Sequence, residues 1–149
     1  MTALTVKQPW AGLIASGQKT IENRSWPTKF RGWLAIHAGQ KTCPSLKATD
    51  LDRLQREHLA SSGELPPTDR RGGFLALVKV VDCVDVHTAH RLRPDQEEFI
   101  SGCWCWLLDQ ATPIWVPYKR GQLGLWSPKQ AEVPSWLWEC QHPQSLTVS

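Results

Sequence analysis

Lys19, Glu22 and Arg24 bring two cations and one carboxylate together in the run Gly17-Gln18-Lys19-Thr20-Ile21-Glu22-Asn23-Arg24. An ammonium is a point charge suited to phosphate, and a guanidinium is a planar fork that fits a phosphate or a base edge. A carboxylate beside them orients both cations, or takes a proton from a base or a 2′-hydroxyl. Thr20, Glu22 and Arg24 alternate with Ile21 and Asn23, so an extended chain sets them on one face with Lys19 at its entry. Glu22 and Arg24 then stand about 7 Å apart, close enough to share a ligand or to pair. A salt bridge alone would be worth at most about 1 kcal/mol on an exposed strand face.

The charge of the chain is +3, and its distribution is uneven. Residues 1–41 carry Lys7, Lys19, Arg24, Lys29, Arg31 and Lys41 against only Glu22. The stretch 42–109 is acidic on balance, and 110–127 adds Lys119 and Arg120 with no acid. Positive potential concentrated on two segments suits an anionic ligand; a solvated basic face is the plain alternative. Nine tryptophans are many for 149 residues. Most are expected to fill the core, but Trp10 and Trp26 flank the charged motif and are candidates to stack on a base. His37, in a strand, is a candidate base or a plain hydrogen-bonding side chain.

Positioning these side chains requires a strand-rich fold. Leu4–Lys7 alternates as a first strand, and Pro9 suits the first turn of a helix carrying Trp10, Leu13 and Ile14. Gly17 stops that helix, and Thr20–Arg24 is extended again. Gly32–Ala38 is the next strand, and Leu46–Leu59 has the pattern of a surface helix. Gly63–Gly73 reads as a loop, and Phe74–Val81 is the expected central strand. Residues 82–101 look irregular, with one helical turn after Pro94. Cys103–Leu108, Thr112–Val116 and Gln122–Trp126 are expected as three final strands, the last two joined by a turn over Pro117–Gly121. The reading is an α+β domain, a small, partly closed β-barrel with helices inserted between the early strands. The segment 42–72 differs in character from the motif regions and reads as an insertion that shapes specificity.

The length fits a single domain over residues 1–149, with a core at about 3–127 and a C-terminal extension at 128–149. No apolar run approaches the ~20 residues of a membrane span, and no secretory signal is legible, so a cytoplasmic protein without a membrane partner is expected. Cys43, Cys83, Cys103, Cys105 and Cys140 form neither a secreted disulfide pattern nor paired C-x-x-C metal motifs. Cys103 and Cys105 would share a strand face, with Cys83, His87 and His90 upstream, yet no metal ion or cofactor is expected.

The run Lys7-Gln8-Pro9-Trp10-Ala11, followed by Gly17-Gln18-Lys19 and Glu22-Asn23-Arg24, resembles the ASCH (activating signal cointegrator homology) domain of the PUA-like superfamily. The family signature is G-x-K-x-x-E-x-R after such a helix, and all four fixed positions are present. The resemblance extends through Arg31–Ala38, Gly73–Cys83, Cys105–Leu108 and Arg120–Trp126, which covers most of residues 3–127. It implies a PUA-like β-barrel and RNA or nucleotide binding in a cleft floored by the motif. Lys7, Trp10, Lys19, Glu22, Arg24, Trp26, His37, Lys119, Arg120 and Ser127 are the candidate ligand-binding residues.

Ribonuclease activity and amide hydrolysis of acylated cytidines are also associated with ASCH-like folds. In the small amidohydrolase branch a threonine nucleophile stands where this chain has Glu22, which argues against that covalent mechanism. Thr20, two residues earlier, does not repair it. A ribonuclease needs no such nucleophile. Glu22 or His37 would take the 2′-hydroxyl proton, Lys19 or Arg24 would stabilise the phosphorane, and Ser127 would supply a hydroxyl. The expected function is therefore binding of RNA, a nucleotide or a nucleoside. A hydrolase of RNA or of N-acylated cytidine nucleosides using Lys19 and Glu22 is the alternative, and a protein-interaction adaptor in transcription regulation is a third.

Overall fold

The apolar, β-branched stretch Gly73–Asp85 forms a strand buried through most of its first eight residues, as a central strand must be. The computed structural model describes residues 1–140. In chain order the elements are β1 (Ala3–Gln8), α1 (Trp10–Ala15), β2 (Ile21–Arg24), β3 (Gly32–Thr42), α2 (Ala48–Ser62) and β4 (Gly73–Asp85). There follow α3 (Val86–Leu92), a 3₁₀ segment (Pro94–Phe99), β5 (Trp104–Pro117), β6 (Leu125–Trp126), a 3₁₀ turn (Gln130–Glu132) and α4 (Ser135–Cys140). Residues 141–149, the end of the expected C-terminal extension, and the side chain of Cys140 lie outside the described residues.

The strands form one six-stranded sheet in the order β2-β5-β4-β3-β1-β6. β1 and β3 run parallel, with Leu4 opposite Ile36, and the other neighbours are antiparallel. No backbone pairing joins the outer strands β2 and β6 among the described residues, so the fold is a mixed sheet of the α+β class anticipated, but without the closure of a barrel. The sheet nonetheless curls. Arg24 on β2 donates to the Thr5 carbonyl on β1 at 3.0 Å, although three strands separate the two in the sheet order.

Two strand assignments differ from the sequence reading for a local reason. Trp104–Pro117 is one strand, not two, because the pairing with β4 absorbs three irregularities and Gln110 adopts a φ of 55°. Such bulges bend and twist a strand without ending it. The final strand is only Leu125–Trp126, since it pairs with β1 at just two positions. The stretch 82–101, expected to be irregular, continues β4 to Asp85 and then forms α3. Asp85 caps that helix by accepting from the Thr88 amide at 2.9 Å.

The core lies on both faces of the sheet. Leu4, Val6, Ile14, Leu34, Ile36, Val78 and Trp106 pack on one, with α1 laid across it. Ala35, Phe74, Val116 and Trp126 pack on the other, together with Val133 and Leu137 from the C-terminal segment. Alternation along each strand sends successive residues to opposite faces, so both sides of β3 and β4 are apolar.

α1 is buried throughout from Ala11 to Ala15. Gln8, fully buried, accepts from the Gly12 amide at 2.9 Å and donates to the carbonyls of Pro67 and Arg70 at 2.9 and 2.7 Å. A Cβ on Gly12 would lie 2.5 Å from the Pro67 oxygen, so the helix and the loop before β4 meet backbone to backbone. Gly12→Ala is expected to lower unfolding stability by about 1–3 kcal/mol through overpacking. An unchanged urea midpoint would show that this contact does not constrain the helix.

Candidate functional site

α1 ends at Ala15, and Gly17, with a φ of 81°, turns the chain back toward the sheet. The Lys19 amide then bonds the Leu13 carbonyl at 3.0 Å, which tucks Lys19 under the helix that precedes it. Lys19 is only 2% exposed. Its Nζ donates to the Ile21 carbonyl and to Glu22 Oε1, the latter at 3.2 Å, and stands 5.6 Å from the centre of the Trp10 ring. Glu22 Oε2 accepts from Arg24 Nε and Nη2 at 3.1 and 2.8 Å. The expected shared face of β2 is thus realised as a cation–carboxylate–cation triad in which Lys19 and Glu22 are buried and Arg24 is partly exposed.

Burial pushes the Lys19 ammonium below its ordinary value, and the Glu22 charge and hydrogen bond oppose that shift. Three donors reach the Glu22 carboxylate, so little of it is open to serve as a base toward a ligand. Arg24 spends Nε and Nη2 on Glu22 and Thr5, while Nη1 has no hydrogen bond among the described residues. That leaves one edge of its fork for a ligand.

Asparagine and glutamine amides hold the motif in place. Asn23, on the opposite side of β2 from Glu22, donates to the Phe99 carbonyl at 2.7 Å and accepts from the Ser101 amide at 3.1 Å. Gln96, 4% exposed, accepts from the Thr20 amide at 2.7 Å and donates to the Gln18 carbonyl at 3.1 Å. The 3₁₀ segment is thereby bolted alongside Lys19, and its Phe99 meets the Trp10 ring edge-on. α2 forms a further wall: Gln18 donates to the Leu54 carbonyl at 2.7 Å, and Arg53 reaches Glu98.

These elements surround a cleft of about 1000 Å³ between β2 and β1. Lys7, Trp10, Lys19, Glu22, Arg24, His37, Lys119 and Arg120, all anticipated, line it. Trp26 and Ser127 do not. Trp26 packs edge-to-face on Trp106, with centres 4.9 Å apart, and Ser127 Oγ bonds the Pro128 carbonyl at 3.4 Å. Sequence reasoning did not single out Lys41, Lys47, Asn23 or Gln122 as site residues. Lys41 was visible as part of the basic N-terminal segment, whereas Lys47 lies in an acidic stretch that gave no local signal.

Five of the lining cations, Lys7, Lys41, Lys47, Lys119 and Arg120, are exposed and form no ion pair among the described residues. Elsewhere Arg31, Arg53, Arg56, Arg93 and Lys129 are matched with carboxylates, whereas the scattered Lys29, Lys79 and Arg91 and the adjacent Arg70 and Arg71 form no ion pair among the described residues. Of the lining acids, Glu22 and Glu98 are themselves paired, and Asp50 sits in the first turn of α2, where the helix N-terminus favours a negative charge.

His37 lies at the edge of the cleft but is 1% exposed. Its Nε2 faces the Tyr118 carbonyl at 2.6 Å, so that nitrogen carries the proton, and Nδ1 accepts from Thr5 Oγ1 at 3.3 Å. Trp126 Nε1 donates to the same Thr5 oxygen at 3.1 Å, completing a chain in which each donor has one acceptor. Gly121 passes directly over this chain; a Cβ there would stand 2.1 Å from Thr5 Oγ1. With both ring nitrogens occupied, His37 holds the segment carrying Lys119 and Arg120 against β1.

Glu22→Gln leaves the buried Lys19 and the partly exposed Arg24 without a counter-charge and is expected to cost about 3 kcal/mol of stability in urea unfolding. Lys19→Met keeps the Glu22–Arg24 pair and should cost less; equal losses would show that the triad is not a unit. Burial lowers the His37 proton affinity from its ordinary value of 6.5, so the unfolded chain binds the proton more readily. Stability is full above pH 6.5 and is lost as pH falls toward the lowered folded value. The wild type should therefore lose more stability between about pH 7.5 and pH 5 than His37→Gln, and parallel profiles would remove His37 as the cause.

The ASCH domain family model matches residues 4–147. Among characterised proteins, activating signal cointegrator 1 of Homo sapiens is 34% identical over 92 residues, and that of Mus musculus 33% identical over 92 residues. Each match takes in 62% of this chain but only 16% of the relative, so the chain spans about one sixth of their length. Two crystal structures of an ASCH protein from Zymomonas mobilis, one of them a tyrosine-to-phenylalanine variant, share the fold with TM-scores of 0.51 and 0.52. Their sequence identities are 16% and 17%, and each superposition covers 88% of this chain and 89% or 91% of the other. No helix among the described residues is long and apolar enough to cross a membrane. The G-x-K-x-x-E-x-R triad, the mixed sheet that carries it and the family match over nearly the whole chain place this protein in the ASCH domain family.

Proposed function

We propose that this ASCH domain binds RNA, with a nucleotide seated in the cleft above Lys19, Glu22 and Arg24. The observation that carries the reading is the set of five rim cations without acidic partners, gathered around a cavity floored by a largely buried ionic triad. Buried charge networks are poor stabilising devices, because desolvation consumes most of their attraction. Their presence in a cleft is better explained by a ligand that uses them. Arg24 offers the open edge of its guanidinium to a phosphate or base, and Trp10 supplies an aromatic wall.

Binding accounts for this arrangement better than proton transfer does. Glu22 already accepts from three donors, and both nitrogens of His37 are spent within the protein. A hydrolase of RNA or of N-acylated cytidines would need one of them to turn toward substrate.

The reading predicts a salt-dependent complex. If the five rim cations each neutralise one phosphate, affinity for single-stranded RNA falls with salt at a log–log slope of about −3.5. Lys41→Ala and Lys119→Ala should each reduce the slope by about 0.7 and weaken all sequences alike. A salt-independent affinity would point to a protein partner instead. Release of products from RNA or acylated cytidines by the wild type, lost in Glu22→Gln, would replace binding by hydrolysis.

A further inference from the structure

One end of the sheet collects chain segments that are far apart in sequence. β1 and β3 are parallel, so Gln8 and Thr42 are partners at that end, and β4 starts there with Gly73 opposite Ala38 and Pro117. The cleft opens at this end through Lys7, Lys41, Lys119 and Arg120. The loop before β4 brings Arg70 and Arg71 beside them. Gln8 holds the Arg70 carbonyl at 2.7 Å, and Arg71 Nη2 donates to Thr42 Oγ1, next to Lys41.

Neither arginine has a carboxylate partner among the described residues. The Arg70 guanidinium lies over the Trp115 ring, 4.9 Å from its centre. Trp115 is 40% exposed, and its ring rests against Gly73, where a Cβ would come within 2.6 Å of it. The pair borders a second hollow of about 520 Å³, lined also by Pro66, Pro67, Ile114 and His58 and by the acidic residues Glu64 and Asp69.

We propose that this surface is a second nucleotide subsite, outside the cleft and adjoining its rim at Lys41. Arg71 takes a phosphate of the strand leaving the cleft, and the Arg70–Trp115 pair stacks a base further along the same single strand. The proposal rests on the RNA reading of the cleft. A guanidinium over an indole presents a flat cationic platform, and bases stack on such planes with little sequence preference. Arg71, bonded to Thr42 beside Lys41, and the neighbouring Arg70 extend the unmatched positive charge of the rim toward the hollow, which favours a polyanion over a neutral peptide there although Glu64 and Asp69 also line it. Arg70, Arg71 and Trp115 do not line the first cavity, so a short ligand can fill that cavity without touching them.

Anisotropy of labelled oligouridylates tests the subsite, with a trinucleotide for the cleft alone and a decanucleotide for both sites. The wild type should bind the longer strand at least about tenfold more tightly, through the further rim phosphates together with one stacked base and its phosphate at the subsite. Trp115→Ala and Arg70→Ala should each lose about five- to tenfold for the decanucleotide and nothing for the trinucleotide. The unchanged trinucleotide affinity reports that the variants are folded, and Trp115→Phe, which keeps an aromatic face, should retain most of the gain. Wild-type affinity of both variants for the decanucleotide would overturn the subsite and leave the cleft reading intact. Equal losses at both lengths would also overturn it, by showing an effect through the fold. Failure of the wild type to bind either strand would overturn the RNA reading and the subsite together.

Discussion

The Glu22 carboxylate, held between Lys19 and Arg24 and nearly sealed from water, is the constraint around which the rest of the molecule is arranged. Removing Lys19 and Glu22 from solvent, and Arg24 in part, is costly, and each must recover its lost hydration from the protein. Lys19 does so from Glu22 and the Ile21 carbonyl, Arg24 from Glu22 and the Thr5 carbonyl. The last of these bonds crosses from β2 to β1, so the ionic triad also draws the edge strand β2 toward β1 across the curled sheet. The cleft is the space left where that seam is bridged by a side chain rather than by backbone pairing.

Around the triad, neutral polar side chains do the positioning and apolar ones exclude water. Gln96, Asn23 and Gln18 each bond backbone groups of a neighbouring segment, which ties the 3₁₀ segment and α2 to the motif strand. Amides suit this task because each supplies donors and an acceptor without adding net charge beside the triad. On the far side, the Trp126–Thr5–His37–Tyr118 chain seats the loop that carries Lys119 and Arg120. The tight passage of Gly121 over Thr5 sets how closely that loop approaches β1.

The site therefore has two parts of different physical character. The floor is rigid, desolvated and internally paired, with one guanidinium edge left open. The rim is solvated and carries charge that nothing in the described protein neutralises. Under the proposed binding of RNA, a floor of this kind would discriminate among ligands by geometry, whereas the rim would supply attraction that depends on salt and not on sequence.

Much of this was legible along the chain because it depends on local spacing. Alternation put Glu22 and Arg24 on one face, Gly17 marked the end of α1, and the apolar run after Gly73 marked the central strand. The basic character of residues 1–41 and of Lys119–Arg120 likewise needed no structure. Other features were decided only by tertiary packing. Trp26 sits beside the motif in sequence, yet it turns onto Trp106 because an indole recovers more by filling the core than by lining a wet cleft. His37 became a structural link once Tyr118 and Thr5, distant in sequence, met its two nitrogens. Lys47 joined the rim because α2 folds against the motif, and Arg70 met Trp115 because β4 and β5 pair at that end. Local spacing determines which side chains share a face, since the periods of helix and strand are fixed by backbone geometry. Which faces meet, and which cations are left without a partner, depends on contacts between distant segments, and only the folded chain brings those into being.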